Sequence, residues 1–299
     1  MSTRASTVIG RARGIVRSLV IYHGQLHKHR RERRFYGEFL APGDLAFDIG
    51  AHVGSRVRAW RRLGARVIAV EPQPDCLRVL RLFFGRDPDV VIVAGAMGAR
   101  AGRAPLAVST ATPTVSSMSP DWIATVTTDS RFARVRWNRS IQVEVATLDD
   151  LIAVHGVPAF CKIDVEGFEV AALAGLNQPI RALSFQYLPA AHQAALAALG
   201  RIEELGASTG GYHYNYSPLE TMRFASDQWL QSTELVELLE VLRPLGRSGD
   251  VYARTKAANL RERTPAGLAA RRRPRATAAP RRGGRPNRST RPPDRHTDR

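Results

Sequence analysis

Acidic residues close three apolar runs in this chain. Asp48 ends LAF and leads into DIGAHVG, Glu71 ends RVIAV before Pro72, and Asp164 follows FCKI in KIDVEGFE. A carboxylate at the end of a buried strand accepts hydrogen bonds from a diol or pairs with an ammonium, but it repels phosphate. The first acid runs into a turn with Gly50 and Gly54, where the missing side chains free the backbone to approach a ligand. The helix that follows offers free N–H groups at its start. Glu71 stands 23 residues beyond Asp48, close to the spacing of about 20 at which a doubly wound fold sets its ribose-binding acid.

The glycine spacing is G-x-x-x-G, not the G-x-G-x-x-G of dinucleotide sites, so a nicotinamide-linked oxidoreductase is disfavoured. A ligand with hydroxyl-rich and cationic ends suits these acids better. S-adenosylmethionine has an ammonium, a sulfonium and a ribose. Asp164 and Asp48 would face one crevice if their strands are neighbours at the centre of a sheet, because ligands of such sheets bind beyond the carboxyl ends of the strands. Asp164, Glu166 and Glu169 are three acids within six residues, too dense for an ordinary core strand.

Positioning these acids requires alternating strands and helices. Leu45–Asp48 reads as a strand and the spacing Val53, Val57, Trp60, Leu63 as a helix closed by Gly64. Ala65–Glu71 is a second strand, Cys76–Phe84 a helix opened by Pro74 or Asp75, and 89–94 a third strand. Residues 98–146 are expected to form a strand pair with a long loop, whose TATPTVSSMSP stretch (110–120) offers hydroxyls to a substrate. Thr147 caps a short helix. A strand over 159–163 and a helix from Phe168 to Leu176 flank Gly167. A strand at 182–187, a helix from Ala190 to Leu205, a strand at 212–217, a helix from Ser226 to Leu242 and a strand at 249–254 complete the pattern.

The chain has 299 residues, 44% of them hydrophobic, enough for a substantial core. Its net charge of +17 is concentrated at the ends: +8 in residues 1–34, +12 in 254–299 and −3 between them. Three regions are expected: a basic, partly helical extension (1–34, with Ile15, Val16, Leu19, Val20 and Tyr22 as its apolar positions), a folded domain (35–254) and an Arg/Pro-rich tail (255–299). The tail has too few large apolar residues to offset ordering entropy and is expected to be disordered, with at most weak contact to polyanions. No apolar run approaches a membrane span or a secretory signal. Cys76 and Cys161 read as buried small residues in a reducing cytoplasm, with no disulfide and no metal site expected.

DIGAHVG (48–54), VEP (70–72), TLDDL (147–151), KIDVEGFE (162–169) and YNYSPLETMRFASDQW (214–229) together resemble the FkbM-type family of S-adenosylmethionine-dependent methyltransferases, across about residues 40–255. The resemblance implies a class I methyltransferase fold: α/β, Rossmann-like and doubly wound, with a mostly parallel seven-stranded sheet and one antiparallel edge strand. It implies O-methylation of a small-molecule, sugar or glycan-like acceptor. By resemblance, the turn formed by Asp48, Gly50, Ala51, His52 and Gly54 holds the methionine end of the cofactor. Glu71, followed by Pro72, takes the ribose, and Asp164 and Glu166 lie near the transferred methyl. Asp164 or Glu166 is the expected proton acceptor, with His52 a second candidate because imidazole titrates near neutrality. The sequence departs from the family pattern at His52, usually Asn, and at Gln186, often Glu. The third strand ends in Ala94-Gly95, with no acid for the adenine amine. Two rival readings are an RNA methyltransferase that uses the basic tails, and a non-catalytic binding protein on a degenerate methyltransferase fold.

Overall fold

The computed structural model describes residues 14–20, 26–219 and 221–257. Residues 262–299 lie wholly outside the described residues. The expected disorder of the tail falls, from residue 258 on, outside the described residues, as does Tyr22. Residues 14–20 are helical.

Seven strands form the main sheet: β1 (Leu45–Ile49), β2 (Arg66–Glu71), β3 (Val90–Ala94), β7 (Phe160–Ile163), β8 (Ala182–Tyr187), β9 (Tyr212–Pro218) and β10 (Gly249–Thr255), in the order β3-β2-β1-β7-β8-β10-β9. β1, β2, β3, β7 and β8 pair in parallel, and β10 runs antiparallel to both β8 and the edge strand β9. This is the expected mostly parallel α/β sheet, and it sets Asp48 against Lys162 in adjacent strands. The order reverses between β1 and β7, so their carboxyl ends open a crevice there.

Both faces of the sheet are covered, which is why the central strands are apolar along their length. On one face, α1 (Leu26–Tyr36), α2 (Ser55–Arg61) and α3 (Pro74–Phe84) pack an aromatic layer. Phe35 and Tyr36 at the end of α1 meet Trp60, Phe160, Phe224 and Tyr252 there. On the other face α5 (Leu148–His155), α6 (Glu169–Ala174), α7 (His192–Gly206) and α8 (Ser232–Leu242) bury a core around Phe47, Ile49, Ile163 and Phe185. Thr147 caps α5 through a capping box with Asp150.

The segment 98–146 holds more structure than a strand pair and loop. β5 (Gly102–Val108) and β6 (Arg139–Ala146) pair antiparallel, as expected, and β4 (Ala96–Met97) adds a third strand on β6. Between β5 and β6 lies a helix, α4 (Pro120–Thr127), capped by Ser119. The helix expected from Ser226 begins six residues later, at Ser232. Leu230 instead exchanges backbone hydrogen bonds with Tyr214, and the Asn215 side-chain amide donates to the carbonyls of Ser226 and Gln228. Those bonds keep 226–230 out of a helix, and Gln231 with Glu234 then caps α8.

Gly54 sits before α2 with φ +81°, and a Cβ there would collide with the Phe84 ring and approach Leu80 Cδ2 to 2.9 Å. Its role is to let α2 lie close on α3. Gly54→Ala should destabilise the fold by about 2–4 kcal/mol, combining left-handed strain with overpacking. Urea unfolding measures this; an unchanged midpoint would contradict the packing argument.

Candidate active site

A cleft of about 1170 Å3, mouth included, opens over the carboxyl ends of β1, β2, β7 and β8. Its walls carry Gly50, His52, Arg56, Glu71, Pro72, Asp164, Glu166, Gln186 and Asp250, with an apolar flank of Met97, Leu106 and Met118 from the small sheet and its loop.

Glu71 dominates one half. Its two carboxylate oxygens accept the backbone N–H groups of His52 (2.8 Å) and Gln73 (2.8 Å), which fixes their aim. Burial pushes its carboxyl up to about 7 against the pull of those two donors. Each oxygen keeps a lone pair for a further donor. Gln73 also ties the site to the Thr/Ser-rich loop, donating to Pro113 O (3.0 Å) and accepting from Ser116 Oγ (3.0 Å). Pro113, Thr114 and Ser116 of that loop line the cleft.

The other half rests on buried charges. Lys162 is fully buried and ion-pairs with Asp250 (2.8 Å) and Asp164 (3.5 Å), while Arg56 reaches Asp164 at 2.6 Å. Burial alone would raise the Asp164 carboxyl, but Lys162 and Arg56 outweigh it and hold it below the usual range. Burial works against Lys162 too, yet Asp164 and Asp250 push its pKa up to about 12. Glu166 lies beside this cluster and makes no ion pair among the described residues, although the Lys162 charge acts on it. Burial raises its carboxyl well above normal, and the charges of Asp164 and Glu169 add to that, against a hydrogen bond with Gln186. Glu166 also holds a left-handed backbone (φ +51°), rare for a residue with a side chain. Its carbonyl accepts from Ser117 Oγ (2.6 Å).

Of the residues expected from the sequence, Gly50, His52, Glu71, Pro72, Asp164 and Glu166 come together on the cleft wall. Asp48, Ala51 and Gly54 do not line it. Asp48 points to the face of α1 and α2, where it is fully buried, its two oxygens have no hydrogen-bond partner among the described residues, and burial raises it to about 6. Gly50, at φ +85°, is needed for a reason other than ligand approach: a Cβ there would collide with the Asp164 carbonyl. Arg56, Lys162 and Asp250 were missed as site residues. The signal for Lys162 was present, since a lysine inside the apolar run FCKI must find a buried counter-charge. Arg56 and Asp250 become visible only through the fold that brings α2 and β10 to β7.

The family model for the methyltransferase FkbM domain matches residues 48–206. No curated protein sequence matches the chain. Among solved structures, a TehB-like SAM-dependent methyltransferase from Corynebacterium glutamicum is 11% identical, with 85% of this chain and 100% of that one covered at a TM-score of 0.42. Precorrin-6y C5,15-methyltransferase from Geobacter metallireducens is 13% identical over 75% of this chain and 87% of that one, at 0.40. Fibrillarin of Aeropyrum pernix, with natively bound S-adenosyl-L-methionine, is 9% identical over 71% and 67%, at 0.37. These likenesses are too distant to bear on chemistry.

Two outcomes follow from the site's electrostatics. Lys162→Met leaves Asp250 and Asp164 buried without a shared counter-charge and should cost about 3–5 kcal/mol, much of it regained when Asp250→Asn is added. Chemical unfolding of the single and double variants tests this, and equal losses in both would contradict it. Glu71 binds its proton more tightly folded than unfolded, so between pH about 4.5 and 7 the folded chain holds protons that the unfolded chain has released. Glu71 therefore contributes stability at low pH that is lost as pH rises through 7. Glu71→Gln should flatten the decline of the unfolding midpoint across that window; an identical slope in the variant would contradict the shift.

Proposed function

From the premise that this chain belongs to the FkbM methyltransferase family and takes S-adenosylmethionine as cofactor, we propose that it methylates a hydroxyl of a small-molecule, sugar or glycan-like acceptor. The observation that carries this reading is Glu71, an acceptor-only carboxylate locked by two backbone N–H groups on the wall of a cleft that also holds Asp164 and Glu166. The donor set suits the cofactor: a ribose diol matches Glu71, and an ammonium or sulfonium matches a wall with more acids than free cations. Gly50 and His52 bring backbone to the same wall, and Met97, Leu106 and Met118 give an apolar flank for a planar base.

When bound, S-adenosylmethionine supplies a methyl group activated by the sulfonium charge. The protein's part is to align the acceptor and to take its proton. Alignment is worth up to roughly 7–11 kcal/mol in well-oriented systems, and a placed base about 10²–10⁴-fold. Of the expected bases, Asp164 is the weakest, because its charge is already committed to Arg56 and Lys162. Glu166 is the better proton acceptor: it lines the cleft and makes no ion pair among the described residues, so its oxygens are not committed to a cation as those of Asp164 are. Gln186 lines the same wall beside Glu166 and helps to orient it. His52 faces the same cleft, and its N–H serves Glu71. Asp48 acts from below, as part of the charge balance around Arg56 and Lys162. Two buried free cysteines suit a reducing compartment such as the cytoplasm, and no helix among the described residues is long and apolar enough to cross a membrane.

Screening hydroxylated acceptors with labelled cofactor, then comparing Glu166→Gln and Asp164→Asn, tests the assignment. Glu166→Gln should lower kcat by about 10²-fold or more while calorimetry shows the cofactor still bound. Full turnover in Glu166→Gln would remove it from this role, and a wild-type protein that binds no cofactor would favour the non-catalytic reading.

A further inference from the structure

We infer that the face built by α1, α2 and α3 docks on an anionic lipid bilayer. This surface lies apart from the cleft chemistry and does not depend on the proposed reaction. Charge within the described core is uneven: residues 30–86 carry 12 arginines against six acids, while residues 87–257 carry 14 basic residues against 18 acids. Three of those six acids, Glu32, Asp48 and Glu71, are buried, so the surface of this part is more basic than its net charge.

The exposed cations lie on contiguous elements. Arg30, Arg33 and Arg34 project from α1, which packs on α2, and Arg62 follows α2. Arg58 of α2 joins the patch together: it feels the charges of Arg62 and of Glu32 on α1, and its guanidinium lies over the Phe83 ring of α3 at 5.6 Å. Phe83 is 45% exposed and its neighbour Leu82 is 80% exposed, with Arg81 and Arg86 beside them, also exposed. Exposed large apolar side chains beside arginines match a bilayer interface, which takes the apolar groups among the acyl chains and the cations at anionic headgroups. A nucleic acid would reward the arginines, but it offers nothing to a projecting leucine, so the bilayer is the occupant the chemistry favours.

Co-sedimentation of the full chain with phosphatidylcholine vesicles, with and without phosphatidylglycerol, tests the inference. The wild-type protein should bind only the anionic vesicles. Leu82→Ser/Phe83→Ser should weaken that binding about ten-fold or more, as should Arg33→Glu/Arg34→Glu at low salt, with thermal unfolding confirming that each surface variant is folded. The inference is overturned if the wild-type chain ignores anionic vesicles. It is equally overturned if both variants bind as the wild type does, which would assign the affinity to the basic tail, or if the same substitutions abolish capture of RNA and leave vesicle binding intact.

Discussion

A lysine with no access to water governs the architecture of the site. Lys162 sits in β7, at the centre of the sheet, and its charge is tolerable there only because Asp250 comes from β10 and Asp164 from the end of its own strand. Arg56 from α2 closes the cluster on Asp164. Removing one partner of such a network strands the others, which costs far more than the network contributes over a well-packed apolar replacement. The cluster therefore defines geometry more than stability. It ties three elements that are distant in sequence to one point, directly beneath the place where Asp164 and Glu166 enter the cleft.

That fixed point explains two local features. The chain leaving β1 must pass so near the Asp164 carbonyl that only glycine fits at position 50. Past Asp164, the backbone turns through Glu166 at positive φ and Gly167 at φ +90°, where a Cβ would strike the Trp122 ring of α4. Non-glycine residues hold such conformations at a cost of order 1–3 kcal/mol, and only where the surroundings over-determine them. The Ser117 hydroxyl on the Glu166 carbonyl is part of that surrounding. The segment between β5 and β6 thus serves both ends of the cleft, through Ser117 at Glu166 and through Pro113 and Ser116 at Gln73.

Much of this was legible in the sequence because the parallel strands are buried on both faces and stand out as apolar runs ending in an acid. β1, β2 and β7 were readable in that way, with Glu71 and Asp164, while β3 and β8 were readable as apolar runs alone. Asp48 was misleading. Strand alternation puts its side chain on the opposite face from Ile49, so an acid at a strand end in the sequence lies under the cleft instead of in it. Gly50 and Gly54 were read as freeing the backbone for a ligand, whereas the structure places neighbouring protein atoms where their side chains would be, which spacing does not reveal. The late start of α8 was hidden for a similar reason: Ser226 and Asp227 look like a helix cap, and only the pairing of Leu230 with Tyr214 shows that the chain is held out of a helix there.

The central claim is that a nucleoside occupies the half of the cleft controlled by Glu71, with the reacting centre toward Glu166. A crystal structure with S-adenosylhomocysteine tests it most directly. The account predicts ribose hydroxyls within hydrogen-bond distance of the Glu71 carboxylate and sulfur directed toward Glu166. Nucleoside density elsewhere, with Glu71 contacting only the His52 and Gln73 amides, would contradict it.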